Sequence, residues 1–157
     1  MEGRGVDDQR SIQDQFFPDM ACFGCGPANA KGLRLRSFPA DDYTVASFTP
    51  WPEHDNGLGY LNGGIICTVL DCHSVTPIIV EAERQGLMSE GAYLPFVTAG
   101  LDVRYLRPTP LTGPLDLRAR ILSGDENEMT VEAELIAEGK TRAAAVATWR
   151  RWRPRPS

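Results

Sequence analysis

The sequence has no apolar run approaching the roughly 18 residues that a membrane span needs, so no membrane partner is expected. It has no excess of positive charge either. Sixteen Lys and Arg against 21 Asp and Glu leave a formal net charge of −5, which gives the protein as a whole no attraction to nucleic acid or anionic lipid. Histidine is scarce, with two residues, and no internal repeat is present. The first residues, Met1-Glu2-Gly3-Arg4-Gly5-Val6-Asp7-Asp8, are polar and acidic, unlike a secretory signal. A cytoplasmic location is the resulting expectation, and there Cys22, Cys25, Cys67 and Cys72 are expected as thiols. Cys22-x-x-Cys25 together with His54 and His73 invites a zinc reading, but finger spacing is missing, and no metal is expected.

What is present is an ordinary globular balance: 157 residues with 42% hydrophobic and 24% charged side chains, enough for one domain with one core. In residues 1–20, Ile12, Phe16 and Phe17 can form one helical turn docked on the body. The runs 33–38 and 43–48 alternate and are separated by Pro39, Asp41 and Asp42, which reads as a hairpin. Residues 49–64 form a long loop rich in Pro, Gly and Asn, of the kind that carries function. A long apolar helix follows, capped by Asn62, interrupted at Pro77 and ended at Gly86. Residues 96–106, 115–122, 129–137 and 141–152 are strand-like, each bounded by Gly, Pro or Asp. Two strands, one long helix and four strands predict an α+β antiparallel sheet with the helix on its face. The domain spans residues 21–152, with 1–20 as an N-terminal extension and 153–157 as a basic tail.

The chemistry concentrates in residues 53–71. Gly63-Gly64 at a helix start presents unhindered backbone N–H groups backed by the helix dipole, a setting for a carbonyl oxygen that becomes an oxyanion. Asp71 lies two turns further into an otherwise apolar helix, flanked by Leu70 and Cys72, and a carboxylate in such a place calls for a partner or a task. Eight residues at about 1.5 Å each separate Gly63 from Asp71 by roughly 12 Å, too far for both to touch one carbonyl carbon. Two such helices packed antiparallel about a two-fold axis bring one chain's Gly63 to the other's Asp71. A substrate acted on by both therefore requires at least a dimer.

The segment Asn56-Gly57-Leu58-Gly59-Tyr60-Leu61-Asn62-Gly63-Gly64 with Asp71 resembles the active-site signature of hotdog-fold acyl-CoA thioesterases, especially the phenylacetate-degradation type. That signature holds Asn, a short glycine-containing loop, His-Gly-Gly, and an acid nine positions after the His. Cys22-Phe23-Gly24-Cys25-Gly26 with Gly32-Leu33, and Tyr105-Leu106-Arg107-Pro108, are similar to further stretches of the family, so the likeness covers residues 20 to 152. The resemblance implies a hotdog fold, an antiparallel sheet of five to six strands wrapped around one long central helix. It also implies an acyl-coenzyme A thioester as substrate with no further cofactor, and a homodimer of the kind that often pairs into a tetramer. By the same resemblance Asp71 is general base or nucleophile, the Gly63 amide polarises the thioester carbonyl, and Asn56 positions water or substrate. Two positions depart from the pattern. Asn62 stands where the family has His, able to cap the helix and donate a hydrogen bond but not to take up a proton near neutral pH. Val75 stands one turn after the acid, where relatives often carry Ser or Thr.

Further substrate-binding candidates are Gly64, whose amide opens at the helix start, and His54, which orders the loop beside Asn56. The phosphates of coenzyme A need a local cationic patch. Arg104 and Arg107 near the end of a strand are the leading candidates, followed by Lys140, Arg142, Arg150 and Arg151. The two histidines do not fit the register of the hotdog dehydratases. The competing reading is a non-hydrolytic acyl-CoA binder, with Asn62 and Val75 as marks of lost catalysis.

Overall fold

The computed structural model describes residues 10–88, 96–153 and 155–157. The acidic start of the chain and residues 89–95 lie outside them. A short helix α1 (Ile12–Phe16) is followed by strands β1 (Ser37–Ala40) and β2 (Tyr43–Phe48) and a 3₁₀ turn at Pro52–His54. Helices α2 (Gly63–Ser74) and α3 (Thr76–Arg84) come next, then strands β3 (Phe96–Tyr105), β4 (Leu115–Gly124), β5 (Glu128–Ala137) and β6 (Lys140–Arg151). The strands form one antiparallel sheet in the order β1-β2-β4-β5-β6-β3. The long helix lies on one face of it, packed against β4, β5 and β6. This is the hotdog arrangement expected from the sequence.

Period-two alternation sorts the two faces. Leu115, Leu117 and Ala119 on β4, Val131, Ala133 and Leu135 on β5, and Ala143, Ala145 and Ala147 on β6 are all buried under the helix. The alanines of β6 are small enough to let the helix approach closely. On the reverse face Arg118 pairs with Glu134, Arg120 with Glu132 and Arg150 with Glu128, each bridging hydrogen-bonded neighbours. These exposed pairs confer register and solubility more than stability.

The helix breaks at Val75, two residues before Pro77, because proline cannot donate to the preceding turn. Across the break, Gly63–Arg84 spans 22 residues and is long and apolar enough to cross a membrane. This corrects the reading of the sequence as free of such a stretch. Its apolar residues Val69, Leu70, Ile78 and Ile79 are buried against the sheet, which accounts for its composition. The docked turn at Ile12 and Phe16 is present, with both side chains buried. The first strand is shorter than the alternation of residues 33–38 suggested. Arg34 takes a positive φ of 54°, and Leu33 N–H and Leu35 N–H donate to the carbonyls of Phe23 and Gly24 rather than to β2.

A buried polar network anchors the helix to the hairpin. His73 Nδ1 lies 2.9 Å from Ser37 Oγ, and Nε2 lies 3.0 Å from the Thr44 carbonyl oxygen. Gln13 clasps Ser37 through both its amide atoms, and the Thr76 hydroxyl donates to the Thr44 hydroxyl. A neutral imidazole with its proton on Nε2 satisfies every one of these contacts. Burial lowers the pKa of His73 to about 4.

Candidate functional site

The loop before α2 is built by two side chains that close turns on themselves. Asp55 Oδ1 accepts from the N–H groups of Gly57 and Gly59, at 2.6 and 3.0 Å, and Asn56 Oδ1 accepts from those of Leu58 and Tyr60, at 2.8 and 3.3 Å. Gly57 and Gly59 have φ of 92° and 85°, the left-handed region that glycine enters at no steric cost. The oxygen of Asn56 is thus committed to loop structure, and its side-chain NH₂ is the part left for a ligand. His54 is buried, its ring against Trp51 at 3.8 Å between centroids, its Nδ1 accepting from the Trp51 N–H, and its carbonyl accepting from the Asn62 N–H. It orders the loop, and it does not line either cavity described below.

Asn62 caps α2 as expected, its Oδ1 accepting from the N–H groups of Gly64 and Ile65 at 2.8 and 3.3 Å. That cap corrects one expectation: the Gly64 amide is not open but bonded to Asn62. The cap leaves out Gly63, whose N–H heads the helix. The Tyr105 hydroxyl donates to the Gly63 carbonyl at 2.9 Å, and Cys67 Sγ sits 3.0 Å from the same hydroxyl. The Cys67 contact, with burial behind it, pushes the Tyr105 phenol up to about 12, so it remains a donor. Asn56, Gly63, Gly64, Tyr105 and Arg107 line one open cavity of about 720 Å³.

The proposed cations separate clearly. Arg142 is spent on the carbonyls of Ala137 and Pro108 and on Glu138, and Arg150 on Glu128. Arg104 points from the outer face of the sheet with Asp102, 3.7 Å away, into a shallow cleft with Glu132 and Glu134. The alternation of β3 puts residue 104 on the face opposite Tyr105, so the structure does not bring Arg104 to the helix start. Arg107 is exposed at the cavity rim, where its guanidinium donates to the Thr141 carbonyl at 3.2 Å.

Asp71 lies elsewhere. It lines a second cavity of about 280 Å³ with an apolar wall including Phe17, Val75, Ile79 and Trp149. Its Oδ1 accepts from the Thr98 hydroxyl at 2.8 Å. Burial raises the Asp71 carboxyl above the usual carboxylate range, the Thr98 bond opposes this, and negative charge at Cys22 reinforces it. The hydroxyl that Val75 cannot supply therefore comes from β3. Sequence reading missed Thr98 because the contact crosses 27 positions. It missed Tyr105 as a clamp on Gly63 for the same reason, although the alternation of β3 faces that residue toward the helix. Cys72 lies on the wall of the Asp71 cavity with Cys22 and Cys25, while His73 faces the hairpin.

Within one chain the two sets of residues thus occupy different cavities, one at the first turn of α2 and one beyond its second turn. Gly64, Cys67, Thr68 and Asp71 lie on one incompletely buried stripe of α2 that runs between them.

No family model and no curated protein matches this chain. Solved structures do. The chain is 28% identical to a thioesterase superfamily protein of Shewanella loihica PV-4, over 81% of this chain and 98% of that one, with a TM-score of 0.60. It is 27% identical to a phenylacetic acid degradation-related protein of Ralstonia eutropha JMP134, over 79% of this chain and 89% of that one, with a TM-score of 0.63. A Bacillus halodurans protein solved with CoA is 24% identical, over 82% of this chain and 80% of that one, with a TM-score of 0.64. The structural neighbours include thioesterase superfamily proteins and phenylacetic acid degradation proteins.

Proposed function

We propose that this chain is an acyl-CoA thioesterase whose active site is completed by a second copy. The observation that carries the reading is the division of Gly63 and Asp71 between two cavities roughly 12 Å apart along one helix. A two-fold axis that sets two α2 helices antiparallel, stripe against stripe, joins one copy's Gly63 cavity to the other's Asp71 cavity. Two features support such pairing. The stripe is made of small residues, which permits close approach, and β3 is a ten-residue edge strand with no proline to block its free side.

In this arrangement the thioester carbonyl oxygen accepts from the Gly63 N–H at the positive end of α2. Asp71 takes a proton from water as the water oxygen attacks the carbonyl carbon. The oxyanion collapses, the C–S bond breaks, and the departing coenzyme A sulfur takes the proton from the Asp71 carboxylic acid. Raised basicity from burial suits Asp71 to that exchange, and Thr98 orients it. The apolar cavity beside Asp71 receives the acyl group, and Arg107 meets the phosphates. Asn62 acts through its cap, holding the helix start in place, so no protonation of the missing histidine is needed.

The test uses a panel of acyl-CoA substrates with detection of released thiol, and two variants. Asp71→Asn removes the base. Gly63→Pro removes the one N–H at a position where proline is tolerated, after an Asn62 whose φ of −59° and ψ of 134° already suit a following proline. Each is expected to lose about two orders of magnitude in turnover. Refolded together, the two inactive proteins form mixed dimers holding one intact site, and activity returns. Recovery absent from demonstrated mixed dimers refutes the shared site. Binding of acyl-CoA by the wild type without hydrolysis of any member of the panel makes the chain a binder instead.

A further inference from the structure

Cys22 and Cys25 lie on the turn before β1, and Cys72 lies on α2, some fifty positions away. The three sulfurs converge, all within 4.8 Å of one another, with Cys22 Sγ and Cys72 Sγ 3.7 Å apart. A zinc ion bound at about 2.3 Å by tetrahedral thiolates sets sulfurs about 3.8 Å apart, close to that separation. A disulfide needs about 2.05 Å and would leave the third sulfur unused.

The convergence is fixed by backbone. A Cβ on Gly24 would stand 2.3 Å from Cys72 Sγ and 3.0 Å from Thr68 Cγ2, and one on Gly26 would stand 2.3 Å from the Cys22 nitrogen. Glycine at 24 lets the Cys-x-x-Cys turn press onto the helix, and glycine at 26 lets the turn close on its own backbone. The turn is itself held by the Gly26 N–H on the Cys22 carbonyl and by the bonds from Leu33 and Leu35 to Phe23 and Gly24. Cys25 and Cys72 are buried, and the remaining cysteine, Cys67, is apart from the cluster on the Tyr105 side of the helix.

We propose that Cys22, Cys25 and Cys72 form a zinc site that ties the N-terminal turn to the central helix. Binding to three thiolates displaces the remaining thiol protons and leaves the group with one net negative charge. All three cysteines line the cavity that holds Asp71, so the fourth ligand is a solvent oxygen from that cavity. Thiolate ligands and tetrahedral spacing select zinc over the harder cations, which prefer oxygen. This inference stands independently of thioester hydrolysis: a chain that only binds acyl-CoA would carry the same site.

The experiment takes the full chain without a metal-binding tag, purified reduced and free of chelator from zinc-supplemented culture. Elemental analysis is expected to give about one zinc per chain, and a mercurial reagent to release it. Cobalt exchanged into the wild type is expected to show a sulfur-to-cobalt charge-transfer band and the visible bands of a tetrahedral ion. Cys25→Ser and Cys72→Ser are expected to lose the zinc, and Cys67→Ser to keep it. Zinc-free wild type that gives no cobalt bands overturns the proposal. So does equal zinc loss in Cys67→Ser, or a native Cys22–Cys72 disulfide in metal-free protein. The cobalt spectrum of the wild type decides the matter even if the serine variants fail to fold.

Discussion

His73 is a neutral imidazole inside the core, and acid should therefore weaken the fold through it. Its ring partners, the Ser37 hydroxyl and the Thr44 carbonyl, are uncharged, and burial brings its pKa from the ordinary 6.5 to about 4. Above pH 6.5 the ring is neutral in folded and unfolded chains alike, and its contribution is fully present. As pH falls from 6.5 to 4, the unfolded chain takes up a proton that the folded chain refuses. Stability is lost through that window and the loss levels off below it. A difference of this size amounts to about 3 kcal/mol, a large part of the stability of a typical domain. Urea denaturation at fixed protein concentration from pH 7.5 to pH 4 measures the effect. The His73→Gln variant serves as comparison, because its amide can still donate to Thr44 but does not titrate. The variant should be less stable at pH 7.5 and should lose about 3 kcal/mol less across the window. Parallel losses in the two proteins, or an NMR titration of the folded His73 ring near pH 6.5, would refute the reasoning.

Two further outcomes follow from the helix start. Arg107→Ala is expected to raise KM for an acyl-CoA about tenfold or more while leaving KM for the matching pantetheine thioester nearly unchanged, since a charge-assisted phosphate bond contributes about 1.5 to 3 kcal/mol. Equal changes in both would remove Arg107 from the phosphate site. Asn62→Ala should cost about 1 kcal/mol in thermal or urea unfolding through loss of the cap, and should lower kcat by loosening the Gly63 amide. A loss of activity at full stability would point instead to direct contact of Asn62 with substrate.

Much of this protein is determined by its sequence alone, because the signals are local. Alternation at 115–122 and 129–137 requires half-buried strands, Asn62 and Pro77 mark a helix start and a break, and the glycines at 57 and 59 mark a loop that no other residue builds as easily. The twelve-ångström gap between Gly63 and Asp71 also follows from sequence, since helical rise is fixed. Only tertiary structure could decide what meets across the sheet. The strand edge that ends at Ser37 rather than Leu33 depends on a turn claiming the backbone of residues 33–35. Thr98 becomes a partner of Asp71, and Tyr105 of Gly63, through the register of β3 against β6 and its distance from the helix. Arg104 is turned away from the site and Arg107 retained by one residue of alternation and the end of the strand. Cys72 joins Cys22 and Cys25 because Gly24 lets a distant turn lie flat on the helix and Gly26 lets that turn close. Such contacts join positions far apart in the chain, and one sequence records no distance between them.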